Sequence, residues 1–145
     1  LIIPQLSKLG FEISFSELML GKYIRIDVTV YTGEKKLTAG VVIWISQDKL
    51  QYIAQDTSWV DIGTAAKVNT SRHLWHTTKL VIDAENECYS RWLFDSQEIN
   101  MEGIPVQSTT DNTAPYIEYQ IRGYSGGMLT QRLYVDNFIF TQNEP

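Results

Sequence analysis

The chain has 145 residues, 43% hydrophobic and 20% charged, with a formal net charge of −5 and a pI near 4.9. That length supports one domain with a substantial core and no need of metals or disulfides. The acidic balance argues against nucleic-acid backbones and anionic membrane surfaces as partners, since both select for clustered Lys and Arg.

The chain opens on Leu1-Ile2-Ile3-Pro4, with neither a methionine nor a signal-peptide pattern, and reads as one domain over 1–145 taken from a longer chain with flanking domains. Its dominant period is two. Phe11, Ile13 and Phe15 alternate with polar neighbours, and 16–20 leaves room for a turn of helix at most. Ile24, Ile26, Val28 and Val30 alternate with Tyr23, Arg25, Asp27, Thr29 and Tyr31, the pattern of a half-buried strand. A turn cluster at 32–36 holds the pair Lys35-Lys36. Residues 41–45 are apolar on both faces, as in a central strand, and 50–54 follow a polar turn at Gln47-Asp48. Trp59 to Ile62 reads as a short strand, and 64–68 as another strand or a loop.

Two runs, 75–83 and 88–95, form a predicted hairpin around the turn Ala84-Glu85-Asn86-Glu87. Residues 96–112 are polar, with Gly103 and Pro105, and read mostly as loop, with Ile104-Pro105-Val106 touching an edge. The 116–124 segment alternates again, Gly126-Gly127 breaks it, and 133–141 closes the domain. Short strands with turn signals between them predict an all-β, two-sheet antiparallel β-sandwich. No run approaches the roughly 18 apolar residues of a spanning helix, so no membrane insertion is expected.

The hairpin carries a Trp opening one strand, an Asp ending it, and a return strand with an apolar stripe: Trp75 to Asp83, then Tyr89 to Asp95. With Tyr134-Val135-Asp136-Asn137-Phe138 near the end, this resembles the concanavalin A-like lectin/glucanase jelly rolls, including laminin-G-like modules. The closing motif is equally similar to galactose-binding-like carbohydrate modules. The resemblance covers 75–141. It implies a jelly-roll sandwich and a glycan or polysaccharide partner, in an extracellular or cell-surface setting. The single cysteine, Cys88, excludes an intrachain disulfide and by itself leans toward a reducing compartment.

Catalytic relatives in that fold carry paired carboxylates on one strand, because alternate residues share a face and must flank the glycosidic bond. No such same-strand pattern occurs here, so no catalytic residues are assigned. Asp27 and Glu118 form a conceivable pair for a glycoside hydrolase or polysaccharide lyase, and a neighbouring Arg25 or Arg122 offers each an ordinary ion pair instead.

The acidic turn 83–87 reads as a solvated turn, with a structural calcium as the other option. His73 and His76 are three apart, which on a strand puts them on opposite faces, so no metal site is assigned. Cys88 lacks a visible activating base. Asn69-Thr70-Ser71 matches the glycosylation acceptor pattern.

The four Trp and eight Tyr offer flat rings on which the apolar face of a sugar can stack, with polar neighbours for the hydroxyls. One strand face carries Tyr116, Glu118, Gln120, Arg122 and Tyr124, while Ile117, Tyr119 and Ile121 point the other way. Tyr23, Arg25, Asp27 and Tyr31 lie on a second polar face. Trp44, between Ile43 and Ile45, reads as core, and Trp75 and Trp92 as packed within the hairpin or core. These eight residues, Arg25, Asp27, Tyr31, Tyr116, Glu118, Gln120, Arg122 and Tyr124, are the candidate contacts of a non-catalytic, lectin-like module. A structural or protein-interaction domain without a glycan ligand is the remaining alternative.

Overall fold

A computed structural model of the chain describes residues 7–18, 22–65, 74–127 and 132–145. Among these there are eleven strands and no helix: β1 (Lys8–Leu18), β2 (Tyr23–Tyr31), β3 (Lys35–Trp44), β4 (Lys49–Ile53), β5 (Trp59–Ala65), β6 (His76–Asp83), β7 (Cys88–Phe94), β8 (Gln97–Asn100), β9 (Gln107–Thr110), β10 (Tyr116–Tyr124) and β11 (Arg132–Gln142). One sheet has the order β11-β1-β6-β7-β8, and the other the order β10-β2-β3-β4-β5 with β9 added beside β3. All pairings are antiparallel. The protein is thus an all-β, two-sheet antiparallel sandwich, compatible with a jelly roll. No described helix is long and apolar enough to cross a membrane.

The period-two pattern places the core. Leu9, Phe11, Ile13 and Phe15 of β1 meet Ile82, Leu80, Thr78 and His76 of β6 in register. Across the sandwich Ile24, Ile26, Val28 and Val30 of β2 close the other side, all of them buried. Each such side chain contributes about 1.5–3 kcal/mol relative to exposure, which is what locks the register, since a one-residue slip would turn the apolar set outward. Trp92, fully buried, donates its indole N–H to Thr78 Oγ1 at 2.7 Å, so the core holds no unpaired indole.

One core residue also ties the sheets together. Along one edge of β3, β9 pairs with Lys35 to Thr38 and β4 with Val41 to Trp44. The ladder forks between them, at Ala39-Gly40. Tyr89, fully buried on β7, reaches across the core into that fork. Its hydroxyl accepts from Gly40 N–H at 2.8 Å and lies 3.1 Å from Gly40 C=O and 2.8 Å from Ile53 C=O, to either of which it can donate. A phenol from the opposite sheet thus supplies the bonds a neighbouring strand would make. Burial pushes the Tyr89 phenol well above its ordinary pKa and keeps it a neutral donor.

Residues 96–112 differ from the loop expected. They contain β8 and β9, which hug β7 and β3 by backbone bonds and so need little apolar sequence. The touch at Ile104-Pro105-Val106 is present: Cys88 bridges Pro105, Tyr89 N–H donates to Ile104 C=O, and Val106 N–H donates to Glu87 C=O. At 16–20 there is strand rather than a helical turn as far as Leu18, because β1 remains paired with β11 to that point. The central strand expected at 41–45 begins earlier, at Lys35, taking in the last two residues of the predicted turn cluster. Trp75 is not packed; it is half exposed just before β6. Met19 and Leu20, residues 66–68, the Asn69-Thr70-Ser71 acceptor and His73 lie outside the described residues.

On the outer face of the five-stranded sheet, Glu144 is folded back over Gly10. A Cβ at Gly10 would crowd Thr141 Oγ1 and lie 2.8 Å from Lys79 Cε and 2.9 Å from Glu144 Oε1, so a larger residue there would have to displace these side chains. Glu144 accepts from Lys79 Nζ at 2.7 Å and from Arg91 at 3.0 Å, with its own side chain 8% exposed. Burial works against its charge, but the bonds from Lys79, Thr141 and Arg91 outweigh it and hold the carboxyl below its ordinary value.

Two predictions follow from these contacts. Tyr89→Phe leaves the Gly40 N–H without its bond and is expected to cost about 1–3 kcal/mol by urea denaturation; an unchanged midpoint would show that the fork is closed by other means. A carboxylate with a depressed folded pKa stabilises the fold above its unfolded pKa of about 4.3 and loses that effect as pH falls through the folded value. Melting temperatures should therefore drop less steeply on acidification in Glu144→Gln than in the parent chain, and parallel curves would dismiss the Glu144 network as a source of acid sensitivity.

Candidate functional site

β2 and β10 pair residue for residue: Tyr31 faces Tyr116, Thr29 faces Glu118, Asp27 faces Gln120, Arg25 faces Arg122 and Tyr23 faces Tyr124. Directly opposed side chains lie on one face of a sheet. The intervening Ile24, Ile26, Val28 and Val30 point into the core, so Arg25, Asp27, Tyr31, Tyr116, Glu118, Gln120, Arg122 and Tyr124 all stand on the outer face of the six-stranded sheet. Two polar strand faces recognised separately in the sequence are one surface.

The residues do not spread evenly along it. At one end Tyr124 and Tyr23 stack, with centroids 5.0 Å and planes 3° apart. Tyr23 in turn lies 4.9 Å from Trp44 and 6.2 Å from Trp59. The Arg25 guanidinium sits 5.2 Å over the Trp59 ring, and Lys22 Nζ 5.8 Å over Trp44. Trp44 therefore belongs to this outer cluster and not to the core, because it faces Tyr23 across the ladder while Ile43 and Ile45 turn inward. Its indole N–H donates to Gln51 Oε1 at 2.5 Å, and Gln51 donates to Asp61 at 2.7 Å. Asp61 also accepts from Lys49, which with Gln51 holds its carboxyl below the ordinary range. Trp59 joins the cluster only through the register of β4 with β5, where it faces Ile53.

Beside the rings lies a charged clamp. Arg25 Nε donates to both oxygens of Asp27 at 2.8 Å, and an Arg122 terminal nitrogen donates to Oδ2 at 2.7 Å. Asp27 is buried although it points outward. Room for it comes from Gly40 on the neighbouring strand, where a Cβ would come within 2.8 Å of Asp27 Oδ1 and 2.5 Å of Ile53 Cδ1. Asp27 thus serves two arginines, while the Arg122 side chain is 56% exposed. Further along, Glu118 accepts from Gln120.

At the far end Tyr116 stacks on Tyr31 at 4.3 Å, and Lys36 Nζ lies 5.5 Å over the Tyr31 ring. The hydrogen bond with Tyr31, helped by desolvation, pushes the Tyr116 phenol up to about 12. The two ends are about 27 Å apart along β10 at the usual rise per residue.

Other candidates are taken up by structure. His76 packs against Phe15 and Phe94, and its Nδ1 lies 2.7 Å from Asp95, which caps Thr77 N–H at 2.9 Å. In the acidic turn Asp83 accepts from the backbone and side-chain nitrogens of Asn86, and Glu87 pairs with Lys35. Burial pushes the Cys88 thiol up, away from nucleophilic thiolate. No group of three or more His, Cys, Asp or Glu among the described residues could hold a metal ion. Two open depressions, of about 530 and 470 Å³, lie beside Tyr52, Val60 and Pro105 and beside Lys8, Arg91 and Glu98; neither includes any of the eight predicted residues.

Comparison with protein-family models gives no match, and none is found among curated proteins.

The clamp has a measurable consequence. Asp27→Asn leaves Arg25 and Arg122 facing each other without a counter-charge, and should lower stability by about 1–2 kcal/mol, a range reduced because Arg122 is more than half exposed. Chemical denaturation of the pair of proteins is the check, and equal stability would mean that solvent screens the two guanidinium groups without help from Asp27.

Proposed function

We propose that this protein is a non-catalytic carbohydrate-binding module of an extracellular or cell-surface protein, and that glycans lie on the outer face of the six-stranded sheet. The observation that carries the reading is the cluster of Tyr23, Trp44, Trp59 and Tyr124 on a solvent-facing sheet surface, with Arg25 and Arg122 beside it. Exposed large apolar side chains gathered in one place commonly mark a binding surface. Rings with cationic neighbours suit a ligand that has apolar C–H faces and a rim of hydroxyls.

Tyr23 has one face covered by Tyr124, and Tyr124, 55% exposed on the edge strand, keeps its outward face for a sugar. Trp59, 36% exposed, offers the second accessible ring. Arg122 supplies donors beyond the one spent on Asp27, since a guanidinium carries five N–H groups. A hydrolase or lyase using Asp27 and Glu118 is less well supported, because both oxygens of Asp27 already accept from guanidinium groups and Glu118 is bonded to Gln120.

A glycan array, run with and without calcium, tests the reading. Retention of some glycan by the parent chain is expected, with affinity falling roughly tenfold in Tyr124→Ala and in Trp59→Ala, on the scale of one aromatic contact. Both variants should keep the parent far-UV spectrum. A folded chain that binds no glycan, or binding indifferent to both changes, would refute the assignment.

A further inference from the structure

The outer strands of the two sheets are unequal. β8 and β9 are four residues long each. β5 is broken by Gly63 at φ 75 and by a shift in its pairing with β4. β10 carries Glu118, Gln120 and Arg122 toward solvent. Short, irregular or charged edges resist pairing with another chain. β11 is neither short nor irregular over its first half, and the two charges it carries there are of opposite sign. It is eleven residues long and contains neither Lys nor Pro, and among the described residues it is paired only with β1. Tyr134, Val135, Phe138, Ile139 and Phe140 on it are between 37 and 52% exposed.

The order of charges on this strand says what fits it. Arg132 and Asp136 are four residues apart on one face, with Tyr134 midway between them. Neither forms an ion pair with a residue whose side chain is described; the Asp136 carboxylate accepts the Asn137 N–H, at 2.8 Å.

We propose that β11 pairs antiparallel with β11 of a second copy of this chain, about a twofold axis at Tyr134. In that register Arg132 faces Asp136 of the second copy, Asp136 faces its Arg132, Leu133 faces Val135, and the two Tyr134 rings meet. A twofold interface requires such self-complementarity, and opposed charges and aromatic pairs are what stabilise neighbouring strands. Registers centred on adjacent residues lose it: an axis at Asp136 sets the two carboxylates against each other, and an axis at Leu133 or Val135 leaves both charges opposite uncharged side chains. The irregularity opposite Glu12 and Ser14, with Asn137 at φ 53, ends regular pairing just past Asp136. The shared ladder therefore runs over 132–136, joining two five-stranded sheets into one. The aromatic face of the other sheet takes no part, so this association stands independently of any glycan.

Sedimentation equilibrium of the whole chain over a range of concentrations reads the association directly. The expected result is a mass rising to twice the 16.6 kDa of one chain. Arg132→Asp and Asp136→Arg each turn both cross-strand pairs repulsive and should weaken the dimer roughly tenfold or more. The double reversal, Arg132→Asp with Asp136→Arg, rebuilds both pairs and should restore it, with thermal melts confirming that all three variants fold. A parent chain that stays monomeric throughout overturns the proposal and leaves the edge to a different partner. A dimer that tolerates either single reversal, or that the double reversal fails to rescue, overturns it as well.

Discussion

The arrangement of the six-stranded sheet depends on one hydroxyl from the opposite sheet. Where β4 and β9 part along β3, a backbone N–H and two carbonyls would be buried without partners, a penalty of about 1–3 kcal/mol for each group left unpaired. From β7 the Tyr89 hydroxyl accepts from that N–H and donates its one proton to one or the other carbonyl. It makes the fork tolerable, and it fixes how the two sheets sit over each other, since a phenol has only one reach. β7 is held in turn by the tight turn at Asp95-Ser96, where Asp95 adopts φ 50 and its carboxylate bonds His76 and Thr77.

From that fork the candidate face follows. Gly40 sits at the fork, and its missing side chain is the space into which Asp27 and Ile53 move. Asp27 can then be buried on an outward-facing strand position because two guanidinium groups reach it there. Arg25, so anchored, lies over Trp59 and brings the β5 ring toward Tyr23. A single glycine thus links the geometry of the core side of the sheet to the aromatic cluster on its outer side. The cluster is prearranged by protein contacts, which lowers the ordering cost for anything that binds it.

The two faces offered to partners differ in chemistry. The outer face of the six-stranded sheet is aromatic and cationic at one end, and its inner strands are paired on both sides. The β11 edge is apolar along much of its length, with unpaired backbone groups and one charge of each sign. The first suits a small polar ligand with apolar faces, and the second suits another strand.

The sequence by itself determined the class of fold and the faces of its strands. Period two in Ile24, Ile26, Val28 and Val30 is a local property, readable without knowing the neighbours, and it assigned Arg25, Asp27 and Tyr31 to the face they occupy. The hairpin of β6 and β7 was legible for the same reason, its turn chemistry being contiguous. Tertiary structure decided which faces became one surface. Pairing of β2 with β10 joins residues nearly a hundred positions apart, and no local pattern encodes that register. The flanking isoleucines of Trp44 suggest burial, whereas alternation on a central strand turns it outward; Trp59 enters through β4 and β5, a route with no sequence signature. β8 and β9 escaped notice because short edge strands are held by backbone bonds, which side-chain patterns do not report. What each residue does within the face, Asp27 above all, was likewise fixed by long-range packing, since a carboxylate's role depends on which charges the fold brings within reach.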